Sequence, residues 1–90
     1  MTCVAVRRVT WVGNSRAVLR SLSKPLRLGF GRALYLLQTD PIRAIERCDI
    51  QKMSNVEAWR IRIDGWRLFY FVGDDEICVY EVSPRKTAYR

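Results

Sequence analysis

The sequence contains no histidine, and its three cysteines are far apart. This composition excludes zinc-finger spacings, Cys-x-x-Cys redox chemistry and a Cys-His nucleophilic pair. The cysteines are Cys3, Cys48 and Cys78. An odd number of widely separated cysteines is typical of unreactive free thiols in a reducing compartment. Without histidine, acid-base chemistry has to use Tyr, Asp, Glu, Lys or Arg.

Long apolar runs are also absent. No run of about 18 uncharged apolar residues occurs, which excludes a transmembrane helix and predicts no membrane association. Residues 1–8 lack the order of basic region, apolar run and cleavage site that a secretory signal requires, so we expect a cytoplasmic protein. A length of 90 residues, 49% of them hydrophobic, predicts a single domain over residues 1–90.

Acidic residues are scarce in the first part of the chain. Lys and Arg number 16 against 9 Asp and Glu, a net charge of +7. Residues 1–55 hold ten basic and three acidic residues, whereas residues 56–90 hold six of each. A basic small domain favours a polyanionic partner such as nucleic acid, or an acidic protein that masks it. Solubility alone is the alternative explanation.

The strongest local pattern is an alternation around Asp64-Gly65, which predicts a β-hairpin with a two-residue type I′ turn. Such a turn pairs Ile63 with Trp66, Arg62 with Arg67, Ile61 with Leu68 and Trp59 with Tyr70. One face is then apolar, and the other carries Arg60, Arg62 and Arg67. Like charges opposite each other destabilise a strand pair, so an anion such as a phosphate is expected to complete this face.

The rest of the chain predicts an α+β fold. We predict a strand over residues 4–12, a helix from Asn14 or Ser15 to about residue 22, and a second helix from Pro25 to near Thr39. Asp40-Pro41 predicts a short helical turn, and the segment 40–56 is otherwise unassigned. The hairpin over 57–72 precedes a final strand over 77–82 and a tail over 83–90. The order β-α-α-β-β-β indicates an antiparallel-rich twisted sheet with a helical hairpin packed on one face.

Two glycines interrupt the second predicted helix. Gly29 and Gly31 each weaken a helix by about 1 kcal/mol relative to Ala, unless close packing on a neighbouring helix or the sheet requires them.

Together these segments resemble the RelE/ParE superfamily of bacterial toxins, the toxin halves of type II toxin-antitoxin pairs. The resemblance is sharpest in the hairpin 59–70, in the acidic turn 74–76 and in the ending from Ser83-Pro84-Arg85-Lys86 to Tyr89-Arg90. The segments 11–15 and 31–36 look most like the HigB-type members.

The resemblance implies a ribosome-dependent endoribonuclease that cuts mRNA in the ribosomal A site without a metal or other cofactor. Its partners would be the ribosome, mRNA and an antitoxin with an acidic contact region, in a toxin-antitoxin hetero-oligomer. The matching catalytic positions are Arg60, Arg62, Arg67, Arg85 and Tyr89. Further expected RNA contacts are Lys86 and Arg90 of the tail. Alternation also places Phe69 and Phe71 on the basic face, where two alternatives stay open: stacking on a nucleobase, with Phe69 as an RNA contact, or covering by the tail.

The general base is left open by the sequence. RelE has a lysine proposed as base at the strand position that Arg62 fills here, and arginine is a poor base because its pKa lies above about 12. Tyr89 is therefore the better candidate for proton transfer, and Glu57 is an alternative. A ParE-like toxin that binds gyrase without catalysis, or an inactive nucleic-acid-binding relative, are the competing functions.

Overall fold

The computed structural model describes residues 7–53 and 58–84, which form three helices and one five-stranded sheet. The predicted α+β class, with helices packed on an antiparallel-rich sheet, is confirmed. In chain order the elements are β1 Arg8–Trp11, α1 Ser15–Ser21, α2 Lys24–Thr39, α3 Pro41–Arg47, β2 Ile50–Lys52, β3 Trp59–Ile63, β4 Trp66–Val72 and β5 Glu76–Pro84.

The segment 40–56 holds more regular structure than the sequence predicted. Asp40 and Pro41 begin a helix as expected, and the Asp40 carboxylate accepts a hydrogen bond from the backbone N–H of Arg43 at 3.2 Å. The helix continues to Arg47 instead of ending after one turn. It leads into β2, a strand that the sequence analysis left unassigned, so the described order is β-α-α-α-β-β-β-β.

Two strand boundaries differ from the predicted ones. The first strand was expected over residues 4–12, but β1 spans Arg8–Trp11, and positions 4–6 lie outside the described residues. Ser83 and Pro84 were expected to begin the tail, yet they extend β5 because they pair with Arg67 and Trp66 at the start of β4.

The strand order in the sheet is β1-β5-β4-β3-β2. β1 runs parallel to β5, and the other neighbouring strands are antiparallel. β5, the last strand in sequence, therefore occupies an interior position between β1 and β4. The short strands β1 and β2 form the two edges.

The predicted hairpin of β3 and β4 is confirmed in detail. All four expected pairs are present, with Trp59 opposite Tyr70 and Arg62 opposite Arg67 among them. Asp64 has a φ of 51° and Gly65 a φ of 82°, so both turn residues have the positive φ that a type I′ turn requires. The turn thus sets which side chains share each face of the sheet.

The core lies between the sheet and the helices. Phe30, Leu34 and Leu37 of α2 are buried together with side chains from β3, β4 and β5, namely Ile61, Leu68, Tyr70, Ile77, Val79 and Val82. Trp59, Ile63 and Trp66 pack against this core and are partly buried. The predicted apolar face of the hairpin therefore faces the helices. Burial raises the pKa of the Tyr70 phenol.

A β-bulge in β5 keeps its apolar residues in the core. Phe69 pairs with Glu81, but the next residue of β4, Tyr70, pairs with Val79, so Tyr80 is the extra residue. Val79 and Val82 are both buried although they are three positions apart. The bulge also leaves Tyr80 on the opposite face, away from the helices.

The helices are attached to the sheet by specific contacts. Asn14 and Ser15 are both capping residue types, but no side chain caps the start of α1; instead the buried Ser15 Oγ lies 2.8 Å from the Val12 carbonyl oxygen and 3.1 Å from that of Val79. In α2, a Cβ on Gly29 would lie 3.1 Å from Ile63 Cδ1, whereas one on Gly31 would meet open space. Close packing on the sheet therefore explains Gly29 only. No helix in the described part of the chain is long and apolar enough to cross a membrane.

Candidate functional site

Three arginines form a cluster on the sheet face opposite the helices. Alternation along β3 and β4 places Arg60, Arg62 and Arg67 on this open face, and we call them the arginine cluster. Arg62 and Arg67 are direct cross-strand partners, while Arg60 lies opposite Phe69. The sequence prediction that these side chains share one face is confirmed.

The environment of Arg60 shows that the three charges are close. The pKa of its guanidinium is lowered, mainly by burial and to a smaller extent by the positive charges of Arg67 and Arg62. The negative charge of Asp49 partly offsets this and raises the pKa. The guanidinium still stays protonated at neutral pH, because its ordinary pKa is above about 12. The cluster is therefore a concentration of fixed positive charge.

Residues next to and within β2 hold two of these arginines. Arg62 Nε donates to Asp49 Oδ2 at 2.9 Å, and the Arg62 backbone N–H donates to the Asp49 carbonyl oxygen at 3.0 Å. Arg60 Nη2 donates to Gln51 Oε1. The sequence analysis missed both partners because β2 is only three residues long and has no recognisable alternation.

The cluster has unused hydrogen-bond donors. Among the described residues, Arg60 Nε and Arg67 Nε are buried and have no hydrogen-bond partner. The same is true of Arg7 Nε, which lies outside the cluster. Buried N–H groups without partners are costly, so an oxyanion that accepts from them would be favourable. A polar cleft of ≈ 300 Å³, lined by Gln51, Lys52, Met53 and Arg60, opens beside the cluster. The arrangement suits a phosphate group.

An aromatic cluster of Phe69, Phe71 and Tyr80 continues the same open face. The Phe69 and Tyr80 ring centroids are 6.0 Å apart, and those of Phe71 and Tyr80 are 4.6 Å apart in a stacked arrangement. Sequence analysis selected Phe69 but not Tyr80. Alternation from the buried Ile77 already places position 80 on the open face, which was the available signal.

Several predicted site residues lie outside the described ranges 7–53 and 58–84. They are Arg85, Lys86, Tyr89 and Arg90 of the tail, and the alternative base Glu57. Within those ranges, no group of three or more Cys, Asp or Glu side chains is placed to hold a metal ion.

Comparison with known proteins gives a consistent result at the level of fold. No protein-family model and no curated protein matches this sequence. Among solved structures, the chain is similar to an archaeal RelE-RelB complex from Pyrococcus horikoshii, with 25% identity, a TM-score of 0.75, and coverage of 92% of this chain and 99% of the other. It is similar to the RelBE toxin-antitoxin complex of E. coli, with 21% identity, a TM-score of 0.73, and coverage of 93% and 99%. E. coli YafQ matches at 13% identity with a TM-score of 0.62, over 93% of this chain and 99% of the other.

The fold and the arginine cluster define a small basic α+β protein with three arginines on the open face of its sheet. Its structural matches support the RelE superfamily, with 25% identity to the P. horikoshii protein and 21% to the E. coli protein.

Proposed function

We propose that this protein is the toxin of a type II toxin-antitoxin pair and a metal-independent endoribonuclease that cuts mRNA in the ribosomal A site. The superfamily and the open basic face support the proposal. The observation that carries it is the arginine cluster, in which Arg60 and Arg67 have buried Nε donors without a partner among the described residues. Binding of a phosphodiester would complete those hydrogen bonds.

The proposed reaction uses the nucleophile that RNA itself contains. The 2′-hydroxyl attacks the adjacent phosphorus and loses its proton to a base, while the bond from phosphorus to the 5′-oxygen breaks and that oxygen takes up a proton. The products are a 2′,3′-cyclic phosphate and a 5′-hydroxyl end. Negative charge builds on the phosphoryl oxygens in the transition state, so fixed guanidinium donors lower the barrier. Arg60, Arg62 and Arg67 are proposed to serve as these donors.

The resemblance supplies the remaining roles. Arg85 is proposed to add a fourth positive charge, and Tyr89 to transfer the proton, because no arginine is a suitable base. Lys86, Arg90 and Phe69 are proposed RNA contacts.

The proposal includes two partners besides mRNA. The first is the ribosome, a cytoplasmic target, so we propose a cytoplasmic location. The second is an antitoxin, because the relatives from P. horikoshii and E. coli were solved as toxin-antitoxin complexes. We propose that the antitoxin is acidic where it contacts this chain, and that it covers the arginine cluster or displaces the tail in a hetero-oligomer.

The experiment is cleavage of mRNA on translating ribosomes, mapped by primer extension. Arg67→Ala should reduce cleavage by ~10²- to 10³-fold, the effect of losing one aligned donor to a transition-state oxyanion. The matched control is Arg43→Ala, which removes the same charge from α3, where Arg43 pairs only loosely with Asp40 at 3.6 Å. Circular dichroism of both variants checks the fold, because Arg67 is partly buried, whereas the exposed Arg43 contributes little stability.

Three results would contradict the proposal. Cleavage by Arg67→Ala at the wild-type rate would remove the arginine cluster from the chemistry. Equal losses in the Arg67 and Arg43 variants would indicate a nonspecific effect of charge. A wild-type protein that leaves mRNA intact but blocks supercoiling by purified gyrase would favour the ParE-like alternative.

A further inference from the structure

The aromatic cluster is unusual because of its position on the open face of the sheet. Phe71 is 42% exposed, and Tyr80 covers one side of its ring at a centroid distance of 4.6 Å. Cross-strand aromatic contacts do stabilise sheets, but they do so most effectively when the rings are buried. Exposure alone is ordinary, since Tyr35 and Ile42 are more exposed, but a ring held by a second ring beside an arginine cluster is a candidate for ligand contact.

The β-bulge explains how three rings meet on this face. Because Tyr80 is the extra residue opposite the Phe69–Tyr70 step, its ring lies within contact of both Phe69 and Phe71. Bulges commonly redirect a side chain in this way. Tyr80 thereby fixes the orientation of Phe71, and 42% of the Phe71 surface remains exposed.

The aromatic cluster is continuous with the arginine cluster. Arg67, Phe69 and Phe71 are alternate residues of β4 and share one face, at ~6.8 Å per two-residue step along the strand. Arg60 lies directly across from Phe69. Cations followed by ring faces along one surface are the combination with which proteins bind single-stranded nucleic acid, the cations binding phosphates and the rings stacking on bases.

We propose that Phe71, held by Tyr80, is a stacking platform for an mRNA base that flanks the cleaved phosphate. The inference rests on the proposed function, since it assigns a base-binding subsite to the same face. Arg60, Arg62 and Arg67 hold the phosphate, and the strand direction leads the neighbouring nucleotide toward Phe71. Stacking on an aromatic ring accepts every base, so this subsite contributes affinity and position and little sequence preference.

The experiment combines a protein variant with an altered RNA. Ribosomes are programmed with mRNA that carries 2′-O-methyl groups, which block the attacking hydroxyl, and a single abasic nucleotide is moved through the A-site codon and its flanks. Binding of wild-type protein and of Phe71→Leu is measured by fluorescence anisotropy. Tyr35→Leu is the matched control, because Tyr35 is 62% exposed on α2.

We expect one abasic position to weaken wild-type binding about tenfold, the size of one stacking interaction. Phe71→Leu should bind intact mRNA as weakly as the wild type binds the abasic mRNA, and the abasic nucleotide should not weaken the binding of Phe71→Leu further. Tyr35→Leu should behave like the wild type. If Phe71→Leu still shows the abasic loss, or if no position matters to the wild type, the subsite is wrong. An unchanged RNA affinity together with weakened antitoxin binding would assign Phe71 to the protein partner instead.

Failure of the proposed function is separable from failure of the subsite. Cleavage of unmethylated mRNA by wild-type protein tests the former. A wild-type protein that binds programmed ribosomes without cutting would refute the nuclease, and the coupling between Phe71 and the abasic position would still decide the subsite. Absence of binding to programmed ribosomes would refute both.

Discussion

Asp49 limits the positive charge of the arginine cluster. It is the carboxylate that faces Arg62, at 2.9 Å, and it opposes the effect of the neighbouring charges on Arg60. Arg62 and Arg67 are direct cross-strand partners, so this carboxylate reduces a repulsion that would otherwise weaken the hairpin.

Replacement of Asp49 by Asn should therefore lower the free energy of unfolding at low salt by up to about 1 kcal/mol. The deficit should shrink in high salt, because ions screen the repulsion among the three guanidinium groups. Urea denaturation at two ionic strengths measures both effects. Asp75→Asn is the control, since Asp75 pairs with Arg8 at 3.5 Å and both side chains are about 70% exposed. Equal, salt-independent losses in the two variants would contradict this role of Asp49.

The single residues of the site were predictable to different degrees. Arg60, Arg62 and Arg67 followed from alternation around one turn, which is local information. Asp49 and Gln51 were not predictable, because their contacts depend on a strand pairing between segments whose connection has no sequence pattern. Alternation from Ile77 places Tyr80 on the open face, but its contacts with Phe69 and Phe71 depend on a bulge whose position the sequence does not reveal.

At the level of elements, helix α2 and strand β3 are in close contact at Gly29. A Cβ there would lie 3.1 Å from Ile63 Cδ1, while Gly31, two residues later, has open space. Gly31→Ala should stabilise the protein by about 0.5–1 kcal/mol through helix propensity and reduced freedom of the unfolded chain. Gly29→Ala gains the same propensity but must displace the end of the Ile63 side chain.

Thermal or urea unfolding of the two variants tests this difference. Gly29→Ala should be less stable than Gly31→Ala by roughly 1 kcal/mol, since even a small overpacking of a core contact has a cost. Ile63→Val in the Gly29→Ala background should recover part of the loss by removing the Cδ1 methyl. Identical stabilities for the two alanine variants would show that the helix and the sheet are not in tight contact at this point.

Elements were predictable where their signals are local. The two-residue turn at Asp64-Gly65 determines the hairpin register, and Pro41 together with the Asp40 cap marks the start of α3. β2 was missed because a three-residue strand with one apolar residue, Ile50, gives no periodicity. The parallel pairing of β1 with β5 joins segments about 68 positions apart, and no local pattern encodes it.

At the scale of the molecule, the net charge of +7 should govern association with an antitoxin. We expect the dissociation constant of the complex to rise as salt increases from low to physiological ionic strength, mainly through slower association. Arg67→Gln should weaken binding and reduce the salt dependence when the antitoxin covers the arginine cluster, and should change neither when the antitoxin displaces the tail alone. Arg43→Gln on α3 is the charge-matched control. Isothermal titration calorimetry at several salt concentrations measures this, and salt-independent affinity would contradict an acidic contact region.

The interior position of β5 has a consequence for the order of events during synthesis. The sheet is complete only when β5 has inserted between β1 and β4, and it supplies Ile77, Val79 and Val82 to the core. At translation rates of about 5–20 residues per second, β1 and the helices leave the ribosome seconds before β5, while the end of β4 precedes the start of β5 by less than about one second. The nascent chain therefore lacks the strand that joins β1 to the rest of the sheet, and with it the Tyr80 ring, until β5 has emerged.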